Sequence, residues 1–328
     1  MPERRHWHVT CDITNTCTLG CYACRRQTYK YMGIPRGGWK GQNMPLEDLE
    51  KLCDAFVEIG LCGQVSDPIF HPQFHEVLKI IKNKNRKCFI HTAATSPKLT
   101  LEWYEKCFEV NPDAEWVIGM DGLPSNSFIH REGQDSDLLW EVMKRAPNVV
   151  WQWIVFNYNE NDIEEGKRMA DENGIRLQLN FTNRFFGHPK SMGYEGTDMS
   201  FLKPSQDFTI PPSYPMTKDF GRSQYDLQPK CLFLNQSFAY VNTGFILPCC
   251  FVDGQEYEED ITMLTQDHLK LEKNETVFDI TQGEVWGEYY DMLIQDEKSA
   301  PTECWKHCST AHDVKKYGRD SRRKRLFV

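Results

Sequence analysis

The stretch Cys17-Thr18-Leu19-Gly20-Cys21-Tyr22-Ala23-Cys24 sets three thiols within eight residues, close behind an apolar segment. On a regular strand or helix, side chains at that spacing cannot all face one metal centre; on a loop they can. Gly20 and the flanking Thr16 and Thr18 suit a loop. Three thiolates can hold three corners of a cubane iron–sulfur cluster and leave the fourth iron open to an exogenous ligand. A structural zinc site calls for four protein ligands, and no fourth cysteine lies close by. Cys11, upstream in a stretch that reads as strand, is a small buried hydrophobe.

Composition bounds the rest. A chain of 328 residues is long for one domain and sufficient for a barrel with an appendage. Hydrophobic content of 40% and charged content of 26% describe an ordinary globular protein. No apolar run approaches the roughly 20 residues that span a bilayer. Met1-Pro2-Glu3-Arg4-Arg5-His6-Trp7-His8 has no apolar signal core, so the expected location is the cytoplasm. In that reducing compartment thirteen cysteines point to metals and not to disulfides. A net charge of −9 argues against a general nucleic-acid binder. The exception is a basic tail carrying Lys315, Lys316, Arg319, Arg322, Arg323, Lys324 and Arg325, which reads first as a solvated helix end or frayed terminus.

Apolar periodicity alternates along the first half of the chain. Strands are expected at 8–13, 61–65, 87–92, 115–120, 148–156 and 175–181, with helices at 46–59, 74–84, 101–110, 137–145 and 162–172. Pro45 with Glu47 and Asp48 opens the first helix, and Gly60 reads as its stop. Six strands separated by helices argue for a parallel sheet of βαβ units, without distinguishing a doubly wound sheet from a partial barrel. Residues 25–43, basic and glycine-rich, read as a long loop. Residues 182–230, with six scattered prolines, read as a linker region.

Cys-x3-Cys-x2-Cys directly after a first strand resembles the signature of the radical S-adenosylmethionine (radical SAM) superfamily, although Ala23 stands where an aromatic residue is usual and Tyr22 is one place earlier. The resemblance implies a partial (β/α)6 TIM-like barrel with Cys17, Cys21 and Cys24 holding a [4Fe–4S] cluster at the strand C-terminal ends. There the open iron binds the methionine end of SAM, and one electron releases a 5′-deoxyadenosyl radical. Ser66-Asp67-Pro68 is similar to the family's Gly-Glu-Pro turn, with Asp67 keeping a carboxylate for the SAM ammonium. Thr92 closes strand three where a Thr-Asn-Gly is frequent. Gly119-Met120-Asp121-Gly122 is similar to the family's Ser-x-Asp-Gly without its hydroxyl, and Arg131 falls where relatives carry an arginine near the SAM carboxylate. Tyr22, Ser66, Asp67, Thr92, Asp121 and Arg131 are therefore the expected cofactor-binding residues.

Five more cysteines follow the linker. Cys231-x12-Gly244-x4-Cys249, Trp286 and Cys304-x3-Cys308 resemble the SPASM/Twitch extensions of radical SAM enzymes, which bind auxiliary iron–sulfur clusters. The resemblance implies a small C-terminal cysteine-rich auxiliary-cluster module in which Cys231, Cys249, Cys304 and Cys308 hold a second [4Fe–4S] cluster. Cys250 is a spare that could exchange with Cys249, and four thiolates would also satisfy zinc. The implied organisation is a barrel core over 1–185, a linker over 186–230, an auxiliary-cluster domain over 231–312 and a tail over 313–328. The activity implied is hydrogen abstraction from a substrate carbon, with electrons from a donor such as flavodoxin or ferredoxin. The first expectation is a peptide or protein substrate, with a carbohydrate or other small polar molecule as its rival. From another class, a non-catalytic zinc or redox-sensing protein remains open.

Overall fold

Strand β1 (His6–Cys11) buries Val9 and Cys11 completely and runs straight into the cysteine loop. The computed structural model describes residues 6–22, 24, 26–27, 41–181, 200–202, 226–233, 238–252, 261–308 and 325–327. After β1 come α1 (Leu46–Ala55), β2 (Phe56–Cys62), α2 (Phe74–Asn83), β3 (Lys87–Thr92), α3 (Leu101–Val110) and β4 (Glu115–Gly119). Then follow α4 (Ser136–Arg145), β5 (Val149–Val155), α5 (Ile163–Glu172) and β6 (Arg176–Phe181). The helix starts carry their own stops for backbone N–H groups: Thr100 caps α3, and Asp135 accepts from Leu138 N at 2.9 Å to cap α4.

Strands β1 to β6 pair in parallel and in sequence order. A doubly wound sheet reverses its strand order at a switch point. Here no reversal occurs, so every right-handed crossover places its helix on the same face, and α1 to α4 pack each against the next. The sheet is open, since β1 and β6 do not pair with each other. This is the partial TIM-like barrel that the family resemblance implies. Trp116, Trp151 and Trp153 are fully covered, whereas β3 alternates, burying Cys88, Ile90 and Thr92 and leaving Phe89 and His91 half-buried on the other face.

Three further strands extend the sheet to nine. Strand β7 (Phe238–Tyr240) joins the outer edge of β1 in parallel, and β8 (Ile246–Leu247) turns back antiparallel to β7. The turn between them uses Gly244 at φ +93°, a conformation open to glycine. At the other edge β9 (Arg325–Phe327) pairs antiparallel with β6. Helices α6 (Lys230–Phe233), α7 (Val277–Thr281), α8 (Glu284–Gln295) and α9 (Thr302–Cys308) complete the described chain. Trp286 of α8 stacks on Phe238 at 5.7 Å, so the C-terminal helices share one core with the barrel. Among the described residues no helix is long and apolar enough to cross a membrane.

Two expectations are corrected. The first helix ends at Ala55, not at residue 59, and β2 occupies Phe56–Cys62 in place of 61–65. The cause is a helix that passes into a strand with no intervening loop: Phe56 is already extended (φ −118°, ψ 150°) while its N–H still bonds Leu52 O. Leu52, Phe56 and Ile59 keep helical spacing across that junction, which hides it. The tail, expected as a helix end or frayed terminus, supplies strand β9 at Arg325–Phe327; Lys315 to Lys324 lie outside the described residues, as do most of 25–43 and 182–230.

Candidate active site and metal centres

The cysteine loop leaves β1 at the C-terminal edge of the sheet and is tied to the loops that follow β2, β3 and β4. Thr16 O accepts from Asp67 N at 2.9 Å, and Thr18 Oγ1 donates to Thr95 O at 2.7 Å. Gly20 N donates to Glu132 O at 2.8 Å, and Tyr22 N to His130 O at 3.3 Å. Arg26 closes the far end, its Nη1 donating to Val65 O at 3.0 Å and to Asn15 O at 2.5 Å. Cys17, Cys21 and Cys24 lie within electrostatic reach of one another. Burial pushes the Cys17 thiol up to about 12, with Asp67 adding to it. Burial raises Cys21 to about 11 against the opposing pull of Arg131. Metal binding at these thiols must therefore displace protons.

Asp67 is buried and its carboxylate is saturated. Oδ1 accepts from Thr92 Oγ1 at 2.8 Å and Ile69 N at 3.4 Å, while Oδ2 accepts from Ala93 N at 2.9 Å and Ala94 N at 3.0 Å. Desolvation raises its pKa, and these donors moderate the rise. The two expected SAM contacts Asp67 and Thr92 thus bond each other and fix the end of β3. Ser66 Oγ donates to Asp12, a residue the sequence reading passes over. Asp12 stands at the end of β1, buried, and also accepts from Gln64 N at 3.2 Å and Asn242 Nδ2 at 3.4 Å. Desolvation raises it to about 6 in spite of these donors and Arg26.

Asp121 is fully buried at the end of β4. Its Oδ2 faces His130 Nδ1 at 2.7 Å and Arg131 Nε at 2.8 Å, and its Oδ1 accepts from Ile154 N at 2.8 Å. Burial alone would raise this carboxyl, but the Arg131 and His130 charges and donors hold it at about 2. Arg131 in turn bonds toward Cys21. A Cβ at Gly119 would come within 2.8 Å of Arg131 Nη2, so the absent side chain is what admits the guanidinium. His130 Nε2 meets Tyr22 O at 3.1 Å, joining this network to the cysteine loop. Gln134, also unforeseen, donates to Ala93 O at 2.6 Å and Gly119 O at 2.9 Å, stapling the ends of β3 and β4. The Tyr22 ring packs edge-on against Phe201 at 5.7 Å. Cys17, Cys21, Cys24, Ser66, Asp67, Thr92, Asp121 and Arg131 are therefore gathered at one edge of the sheet.

Away from that edge, a cavity is lined by Cys231, Cys249, Cys304 and Cys308 together with Pro229, Tyr289 and Glu303. Cys250 does not line it. Burial raises Cys231 to about 11 and Cys304 to about 12, and each feels the negative charge of its neighbours. The donor sets, three thiols on one loop and four around one cavity, are the chemistry that iron–sulfur clusters take. Among the described residues no three His, Cys, Asp or Glu side chains form a group set to hold a single metal ion.

No family model and no curated protein matches the chain. Solved structures do. SuiB of Streptococcus suis bound to the precursor peptide SuiA is similar over 86% of this chain and 66% of that one, at 13% identity and TM-score 0.53. SuiB bound to S-adenosylmethionine is similar over 81% and 67%, at 12% identity and TM-score 0.50. The two proteins share a fold. The chain spans about two thirds of the length of SuiB. BtrN in complex with AdoMet and 2-DOIA is similar over 93% of each chain at 11% identity and TM-score 0.42.

Proposed function

We propose that the chain is a radical SAM enzyme acting on a peptide or protein. The observation that carries this reading is the three-thiol loop held at the C-terminal edge of a partial barrel and strapped to the loops after β2, β3 and β4. In this reading Cys17, Cys21 and Cys24 would hold a [4Fe–4S] cluster, and that cluster would supply the electron for reductive cleavage of SAM. The chain's own groups do the positioning. Asp67 and Gln134 fix the ends of β3 and β4, and Asp121 orients Arg131 beside Cys21. Tyr22, Ser66, Thr92 and Arg131 border the space proposed for SAM. The open side of the barrel suits an extended substrate, and the shared fold with a protein crystallised with a precursor peptide supports that choice.

In the same reading Cys231, Cys249, Cys304 and Cys308 hold an auxiliary [4Fe–4S] cluster, and the cavity lining favours Cys249 over Cys250. Strand β8 runs opposite to β1, carrying Cys249 back toward the N-terminal ends of the parallel strands while Cys17 lies beyond their C-terminal ends. That separation, and ligation by four cysteines, favours electron transfer over binding of substrate. The proposed division is a core over 1–185, a linker over 186–230, an auxiliary domain over 231–312 and a tail beyond, in a cytoplasmic enzyme fed by flavodoxin or ferredoxin.

The test is anaerobic reconstitution followed by SAM turnover under strong reductant. About eight irons per chain are expected from two cubanes, with release of methionine and 5′-deoxyadenosine. Cys17→Ala should abolish cleavage, whereas Cys308→Ala should keep the first cluster and its SAM binding. Stoichiometric zinc without iron would make the chain a zinc protein and end the enzyme reading.

A further inference from the structure

Tyr289 lies on α8 and is 1% exposed, and its hydroxyl stands 3.8 Å from Cys304 Sγ. It lines the four-cysteine cavity without being a cysteine or a charged group. The helix that carries it is anchored: Trp286, one turn earlier, is fully buried and stacks on Phe238 of β7. The hydroxyl is thus presented from a rigid element. While Cys304 keeps its proton, either atom can donate. Once Cys304 ligates a metal its sulfur has no proton and can only accept, which leaves Tyr289 as the donor.

We propose that Tyr289 is a positioning residue that donates a hydrogen bond to the metal-bound sulfur of Cys304 and raises the reduction potential of the auxiliary cluster. Reduction adds one electron, and the extra negative charge spreads onto the cysteine sulfurs. A fixed donor at one of them stabilises the reduced form more than the oxidised form. The inference rests on reading this cavity as an iron–sulfur site, so that reading is checked first: Cys304→Ala must lower the iron content of the reconstituted full-length chain.

The decisive measurement is an EPR-monitored redox titration of the reconstituted protein with SAM present, which sets the first cluster's signal apart. Tyr289→Phe keeps the ring and removes the donor. It should retain its iron while the auxiliary potential becomes more negative. The ratio of reduced to oxidised auxiliary cluster at a fixed ambient potential should fall about tenfold, which for one electron is about 59 mV. Incorporating 3-fluorotyrosine at position 289, a stronger donor that keeps the hydroxyl, should move the potential the other way, and it remains informative where the Phe variant loses its cluster. Unchanged potential in a fully loaded Phe variant, or in the fluorotyrosine protein, overturns the proposal. Iron content indifferent to Cys304→Ala overturns instead the cluster reading beneath it.

Discussion

A Cβ at Gly119 would stand 2.8 Å from Nη2 of Arg131 and 3.2 Å from Cβ of Ala93. A guanidinium at the tip of a free side chain would swing away, but this one is pinned by Asp121 in a buried site. Gly119→Ala is therefore expected to destabilise the fold by about 1–3 kcal/mol through overpacking and to loosen the contact of Arg131 with Cys21. Denaturant midpoints of the two proteins check the first part, and an unchanged midpoint would mean that Arg131 relaxes freely. The sequence shows Gly119, Asp121 and Arg131 as separate motif positions, because motif spacing says which residues matter and not which touch. Asp12 escapes notice for a related reason: within the strand expected over 8–13 nothing in the sequence marks a single carboxylate, and only the fold brings Ser66, Gln64 and Asn242 together on it. Cys249 and Cys250 are adjacent, so no spacing argument separates them; only the cavity lining does.

The junction of α1 and β2 is where element prediction fails, and Gly60 is its sharpest case. Read as a helix stop, it lies inside β2 opposite Thr10 of β1 and Phe89 of β3. Its missing side chain leaves room for the Phe89 ring, which would approach an added Cβ to 2.3 Å, and for His8, which stacks on that ring at 5.1 Å. The same His8 pairs with Glu58 across the two strands at 2.8 Å. Gly60→Ala should force the Phe89–His8 stack apart and cost about 1–3 kcal/mol, seen as a lower urea midpoint with an unchanged slope. Strands β3 to β6 were legible because polar turns and capped helices bracket their apolar runs. Strands β7, β8 and β9 were not, because two or three residues are too few to show a period, and they exist by adding to an edge that β1 and β6 already provide.

Across the molecule, two buried carboxyls at the mouth of the barrel pull stability in opposite directions with pH. Asp121, held at about 2 by Arg131 and His130, contributes stability that is present above the unfolded value near 3.8 and is lost as the pH falls toward 2. Asp12 is raised from 3.8 to about 6 by burial. Its native form keeps a proton that the unfolded chain has released, so it is tolerated below pH 4 and becomes a growing cost as the pH climbs through 6. A carboxyl displaced that far costs the native state about 3 kcal/mol once ionised in both states. Asp12→Asn removes that cost while keeping an amide that can still meet Ser66 and Gln64. The stability of Asp12→Asn relative to the parent chain should therefore rise steadily between pH 4.5 and about 6.5 and level off above 7. Comparing the two proteins, loaded alike and unfolded chemically at each pH, cancels contributions from metal sites and from Asp121. A difference that stays constant across the range would mean that Asp12 ionises in the fold as it does in the open chain, and that its ring of donors fully replaces water.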